Sequence, residues 1–264
     1  MNTPSFSLAN RVAFVSGTSR GLGERFALTL AQAGADLVLT SRTLKSLDDI
    51  KKRIEDMGRK VLPLELDVRS LDSIVNAVQE AKACFSKLDI LVCNAGCNVR
   101  KPAVDVTWDD WNLILDTNLR GSFFLAQQAA KELMIPAQYG RVILIGSVTC
   151  VAGYAGLAPY GASRGGVKQM AMALADDWGV HGITVNVLAP GWFKTAQNAV
   201  MYQDAEWVEY LSDRIPLKRP GSMDDLEGPL VFLASEESRY VTAQTLLVDG
   251  GISGGATRAL PKKK

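Results

Sequence analysis

A chain of 264 residues with 47% hydrophobic and 22% charged side chains has the bulk and balance of one large globular domain. Its formal net charge of +1 excludes the strong basic field that recruits nucleic acid or an anionic membrane, and Lys262-Lys263-Lys264 is too short a run to be more than a solvated tail. A single histidine, His181, excludes a zinc site built on several histidines, and the four cysteines Cys84, Cys93, Cys97 and Cys150 form no Cys-x-x-Cys pair, so no metal is expected.

The elements alternate from the N-terminus on. Residues 12–16, apolar up to Ser16, read as a strand. A turn with glycines at 17, 21 and 23 follows, then a helix over 21–34. A strand at 37–40, a helix over 44–57 closed by Gly58, and a strand at 61–66 continue the pattern. A helix over 71–85 leads to a strand at 90–93, and a long helix over 108–133 to a strand at 141–146. A helix over 161–178, a strand at 184–188, a helix over 223–234 and a strand at 245–248 complete about seven strands. Strands that are apolar along their whole length and alternate with helices predict a parallel sheet covered on both faces. Right-handed crossovers then give one doubly wound α/β domain of the Rossmann type over residues 1–264. The stretch 191–220 interrupts the alternation. It carries Trp192, Phe193, Met201, Tyr202, Trp207 and Tyr210, and predicts a lid over a ligand. Packing on a neighbouring subunit is the alternative for that stretch. Residues 1–11 hold no apolar leader core, and no run approaches the roughly 18 apolar residues of a membrane span, so a soluble, cytoplasmic chain is the expectation.

The first turn points to a nucleotide. Gly17, Ser19, Arg20, Gly21, Leu22 and Gly23 lie between a strand and a helix. Small residues let backbone close on a pyrophosphate, and the helix N-terminus offers N–H donors and positive dipole. The spacing departs from G-x-G-x-x-G, so position carries the assignment. The end of the second strand then selects the cofactor. An acid there would bond a ribose 2′-hydroxyl and repel a 2′-phosphate. This chain has Thr40-Ser41-Arg42 instead, with Arg20 in the turn. Two guanidiniums able to converge on one phosphate favour NADP(H), with NAD(H) still able to bind. The alternative leaves Arg42 as the start of a solvated helix. Asp67-Val68 is placed against the adenine, and Asn94-Ala95-Gly96 passes small residues beside the cofactor.

The ordered set Gly17, Gly21, Gly23, Asp67, Asn94-Ala95-Gly96, Asn118, Ser147, Tyr160, Pro190-Gly191 and Asp249-Gly250-Gly251 resembles the short-chain dehydrogenase/reductase family along nearly the whole chain. The stretches 160–168 and 189–195 are further similar to members that act as gluconate 5-dehydrogenases or glucose dehydrogenases. The resemblance implies an oxidoreductase that interconverts a secondary alcohol and a ketone, on a polyol, sugar or sugar acid. It implies Tyr160 as general acid/base, Ser147 as the partner of the substrate oxygen, and Asn118 as the holder of a water in a proton relay. It implies cofactor contacts from Tyr160, Pro190, Gly191, Trp192, Phe193 and Thr195, and a homotetramer or homodimer built on the long helices.

One position departs from the family. Lysine is expected four residues after the tyrosine, and this chain has Arg164. Arginine keeps the charge and can hold the nicotinamide ribose through its fork. It does not deprotonate, so a relay through a lysine amine is lost. Lys168 lies two turns beyond Tyr160, about 12 Å along the axis, too remote to substitute. Altered activity is the expectation, and a cofactor-binding protein with a sensor or assembly role is the alternative. On the substrate side, Arg100, Lys101 and Lys194 either meet a carboxylate or remain solvated charges. Trp192, Phe193 and Trp207 point instead to an apolar or ring-shaped substrate.

Overall fold

Seven short apolar runs pair side by side into one parallel sheet of order β3-β2-β1-β4-β5-β6-β7. The strands are β1 Val12–Val15, β2 Asp36–Ser41, β3 Val61–Glu65, β4 Ile90–Cys93, β5 Gly140–Ile145, β6 Ile183–Pro190 and β7 Thr245–Val248. The computed structural model describes residues 3–194 and 201–254. The two-residue period of a strand sorts its side chains between two cores. Val12 and Phe14 join the core on one face, with α3 Leu71–Phe85, α5 Gly121–Ala129 and α7 Ala158–Gly179 packed there. Ala13 and Val15 join the core on the other, with α1 Gly21–Gln32, α2 Asp48–Glu55 and α9 Glu227–Ala234. β1 and β4 are buried on both faces, which is why they read as unbroken apolar runs. No helix among the described residues is long and apolar enough to cross a membrane.

The order reverses between β1 and β4. Crossovers run outward from β1 to β3, then return to the other side of β1 and proceed to β7. A crevice opens outside the carboxyl ends of the strands at such a switch point.

Three sequence expectations are corrected by the packing. The helix expected over 108–133 is a longer rod with two wide turns. α4 Trp108–Leu115 is followed by a π turn at Asp116–Arg120, then α5, a second π turn at Ala130–Met134 and α6 Ile135–Ala137. A π turn inserts one extra residue, and the first of these turns Asn118 fully inward. The helix expected from 161 starts at Ala158, with Pro159 in its first turn, where a missing N–H costs nothing. Tyr160 therefore lies on α7. The stretch 191–220 is not irregular throughout, because it contains α8 Ala205–Arg214, N-capped by Asp204, whose carboxylate accepts from the Trp207 amide at 3.1 Å.

At the amino ends of the strands, charges tie the sheet to its flanks. Asp89 accepts from the Val12 amide at 2.9 Å and from Arg11 Nη1 at 2.8 Å. Arg141, 3% exposed, reaches Glu236 at 3.3 Å and stacks on Tyr139. Removing Asp89 strands the Val12 amide and leaves Arg11 with Glu236 as its one carboxylate partner among the described residues. Asp89→Ala is expected to lower unfolding free energy by about 2–4 kcal/mol in urea titrations. A loss below about half a kcal/mol would mean that water replaces the carboxylate at no cost.

Candidate active site

The loops after β1 and β4 are locked to each other. The Asn94 side chain donates to the carbonyls of Ser16 at 2.9 Å and Gly17 at 3.1 Å. Ser16 Oγ accepts from the amides of Asn94 and Ala95, both at 2.9 Å. The turn is also stitched to β2, where Gly17 N–H donates to Thr40 Oγ1 at 3.2 Å and Thr18 N–H to the Thr40 carbonyl at 2.8 Å. Gly17 has φ +73°, a left-handed conformation that favours glycine. A Cβ on Gly23 would run into the Gly17 carbonyl and the Asn94 amide. Small residues are thus needed here to seat α1 against the turn. No side chain caps the first turn of α1, so its amides face the crevice without a side-chain partner.

A cavity of about 770 Å³ occupies the crevice. Its walls include Gly17, Ser19, Arg20, Gly21, Leu22 and Gly23 from the first turn. Ser41 ends β2 and Arg42 follows it, Asp67 and Val68 follow β3, and Asn94, Ala95 and Gly96 follow β4. Ser147, Tyr160, Arg164, Pro190, Gly191, Trp192 and Phe193 complete the expected set. Thr195 lies outside the described residues. Asn118 does not reach the wall. It sits behind it, with Oδ1 accepting from the Cys97 amide at 2.8 Å and Nδ2 donating to the Cys97 carbonyl at 2.9 Å and to Ser163 Oγ at 3.1 Å. Both ends of that side chain are engaged in holding the loop after β4.

Tyr160 and Arg164 are one turn apart on α7, so both face the cavity. The Arg164 guanidinium carbon lies 5.0 Å from the Tyr160 ring centroid. Its Nη1 donates to the Ile145 carbonyl at 2.7 Å, at the end of β5. The residue is 5% exposed, and its Nε has no partner. Gly96 makes room for it: a Cβ there would come within 2.6 Å of Arg164 Nη2 and 3.1 Å of Asn118 Oδ1. Ser147 follows Gly146 at the end of β5, and its Oγ accepts from the Thr149 amide at 3.2 Å.

The far end of the cavity is polar and aromatic. Arg100 lines it, whereas Lys101 and Lys194 do not. Lys101 is taken by Asp110, Nζ to Oδ2 at 2.6 Å, and this hydrogen bond first, then those from Thr107, bring the Asp110 carboxyl down to about 2. Lys101 is therefore a paired surface charge, its side chain 37% exposed, and is not aimed at a ligand. Asn98 Oδ1 and Thr149 Oγ1, both on lining residues, are buried without partners. A chain of edge-on ring contacts runs outward from Tyr154 to Trp192 at 5.6 Å, to Trp207 at 5.5 Å and to Tyr202 at 5.1 Å. Phe193 bridges to Gly221, and Gly221 N–H donates to the Trp192 carbonyl at 2.9 Å. The insertion is so pinned at both ends. Arg69, Thr149 and Tyr154 were not legible as wall residues in the sequence, because nothing in their local pattern separates them from ordinary loop residues.

Comparisons with known proteins give the chain's relatives and its fold. A family model described as enoyl-(acyl carrier protein) reductase matches residues 17–253. The chain is 38% identical over 250 residues to the 2-dehydro-3-deoxy-D-gluconate 5-dehydrogenase of Pseudoalteromonas atlantica, covering 94% of this chain and 98% of that protein. It is 38% identical over 248 residues to the gluconate 5-dehydrogenase of Gluconobacter oxydans, covering 94% and 96%. The crystal structure of a gluconate 5-dehydrogenase from Burkholderia cenocepacia in complex with NADP and tartrate superposes with a TM-score of 0.92 at 36% identity, covering 96% and 98%.

The crowding at Gly96 makes a specific expectation. Gly96→Ala should displace the Arg164 guanidinium and lower kcat on the order of 100-fold, a size expected when a reacting group is misplaced by about an ångström. Circular dichroism should show an intact fold. Turnover within about twofold of wild type would show that Arg164 can shift without consequence.

Proposed function

This chain belongs to the short-chain dehydrogenase/reductase family of NAD(P)-dependent enzymes, and from that premise we propose that it interconverts a secondary hydroxyl and a ketone on a sugar acid, with NADP(H) preferred. One observation carries the reading: the charge layout of a single cavity. Arg20 comes from the turn after β1, Arg42 from the residue after β2 and Arg100 from the loop after β4, and all three line it together with Tyr160 and Ser147. Among the described residues neither Arg20 nor Arg42 enters an ion pair, in contrast to neighbours such as Arg25 and Arg53. Two unpaired guanidiniums suit a 2′-phosphate. Arg100, also on the cavity wall, brings a cation suited to a carboxylate, and the names of the relatives above support a sugar acid.

The residues present fit the dinucleotide. The first turn of α1 offers uncapped amides for the pyrophosphate, Gly17 and Gly23 keep the cradle free of side chains, and the buried, unpartnered Arg164 Nε has a donor left for a ribose hydroxyl. When bound, the nicotinamide supplies or accepts the hydride. Tyr160 gives its phenolic proton to the ketone oxygen in reduction and takes it from the alcohol in oxidation. Ser147 donates a hydrogen bond to that same oxygen. Arg164 stays charged throughout, so its part is to fix the helix against the end of β5 and to favour negative charge near Tyr160. Asn118 holds Gly96 and Cys97 in place behind the reacting groups. The described parts of the stretch, residues 191–194 and 201–220, with Trp207 edge-on to Trp192, serve as the lid. Trp108, Trp111 and Met172, exposed on the long helices, support a homotetramer or homodimer.

The rival reading, a cofactor-binding protein without turnover, takes its force from the anchoring of Arg164 on Ile145. Absorbance at 340 nm decides between them, with NADPH or NADH and a panel of keto-sugar acids, and the reverse reaction with NADP⁺ and aldonic acids. NADPH-dependent turnover of a keto-sugar acid is expected. NADPH binding with no turnover by wild type, and turnover gained in Arg164→Lys, would establish the rival. Tyr160→Phe is expected to lower kcat by about 10²–10⁴ while the Kd for NADPH holds within about twofold. A variant that keeps the wild-type rate would remove Tyr160 from the chemistry.

A further inference from the structure

Five arginines line the cavity: Arg20, Arg42, Arg69, Arg100 and Arg164. Asp67 is the one acid among the described lining residues. It stands at the nucleotide end. β2 and β3 pair through Ser41 and Glu65, and the Leu66 amide donates to the Ser41 carbonyl at 2.8 Å, so the chain leaves both strands with Arg42 and Asp67 as near neighbours. An unpaired carboxylate in that place has two effects on an incoming phosphate. It repels the phosphate directly, and it competes for Arg42.

The structure removes both effects with a second arginine. The Arg69 main-chain N–H donates to Asp67 Oδ1 at 2.9 Å, its Nε to the same oxygen at 3.2 Å, and its Nη2 to Oδ2 at 2.8 Å. Both carboxylate oxygens are engaged by one guanidinium and one amide of the same residue, a two-point geometry that lysine cannot reproduce. On its outer side Arg69 shares a hollow with Asp109, Asp110 and Asp116; Asp110 is bound to Lys101 and Asp116 to Arg120 at 3.1 Å, and the fork of Arg69 is on Asp67. Hydrogen bonds from Arg69 hold the Asp67 carboxyl below its ordinary range, with a smaller contribution from the charge of Arg42.

We infer that Arg69 is a cofactor-selecting positioning residue: by clamping Asp67 it keeps that acid off Arg42 and leaves Arg20 and Arg42 to receive the 2′-phosphate. The inference rests on the NADP(H) reading above and extends it to a residue that need not touch the phosphate. Asp67 retains lone pairs for the adenine, so the clamp leaves base recognition in place. Both side chains are more than a third exposed, so the effect is moderated by solvent and salt.

Isothermal titration with NADPH, NADH and adenosine 2′,5′-bisphosphate tests it on the full chain. Arg69→Gln is expected to weaken NADPH and the bisphosphate by about five- to tenfold, with NADH held within about twofold. In the double variant Asp67→Asn/Arg69→Gln the carboxylate is gone while an acceptor for the adenine remains, and affinity for NADPH should return to within about twofold of wild type. Equal losses for NADPH and NADH in Arg69→Gln would overturn the inference, as would a double variant no better than the single, since Arg69 would then contact the cofactor itself. A wild-type protein that binds NADH as tightly as NADPH would instead overturn the NADP(H) reading, and the inference with it, before any variant is compared.

Discussion

The lock between Asn94 and the turn after β1 is the contact on which the rest of the site depends. A parallel sheet whose order reverses leaves a gap between the two loops at the reversal, and a gap lined with loose backbone would have no fixed shape. Here Asn94 and Ser16 satisfy four backbone groups between them, two carbonyls and two amides, and close that gap into a rigid floor. Gly23 brings α1 down onto the same floor because it has no Cβ to keep it away. The uncapped amides of α1, the end of β2 and the loop that carries Gly96 are all held relative to one another through this one cluster. Ordered polar contacts in a buried place of this kind have high stakes, since each unpaired group would carry its full desolvation cost.

Arg164 is the second constraint, and it is built into the packing. An arginine in a slot shared with small residues needs a carbonyl to accept from it, a glycine to admit it and a neighbour that tolerates its planar head. Ile145, Gly96 and the Tyr160 ring supply these in turn. The guanidinium thereby joins the end of β5, which presents Ser147, to α7, which presents Tyr160. A permanently charged group in that position contributes field and geometry, and any proton that leaves Tyr160 travels by another route.

Charge is divided between the two ends of the sheet. At the amino ends, Arg11, Arg141, Asp89 and Glu236 pair with one another and close the fold. At the carboxyl ends the cavity wall is cationic, and its one described acid is clamped. The parallel arrangement makes this division possible, because every strand end of one kind falls on one side. The same side then collects residues from positions as far apart in the chain as Arg20 and Trp192.

The sequence by itself determined the seven strands, the glycine turn, the absence of an acid after β2 and the spacing of Tyr160 and Arg164. Each of these is local, written in apolar periodicity or in intervals of a few residues, and a short window of chain suffices to read it. The structure alone decided what lies across space. It placed Asn118 behind the wall through a π turn, gave Lys101 to Asp110, gave Asp67 to Arg69, folded part of the stretch 191–220 into α8 and ran a line of aromatic rings from Tyr202 to Tyr154. Arg69 shows the difference. Asp67 lies two residues away and its bond to the Arg69 amide is a local one, but the place of the pair on the cavity wall, facing several other acids, has no local signature. Which of several nearby charges a guanidinium pairs with is settled by distances between strand ends and helices, and those distances exist only once the sheet has formed.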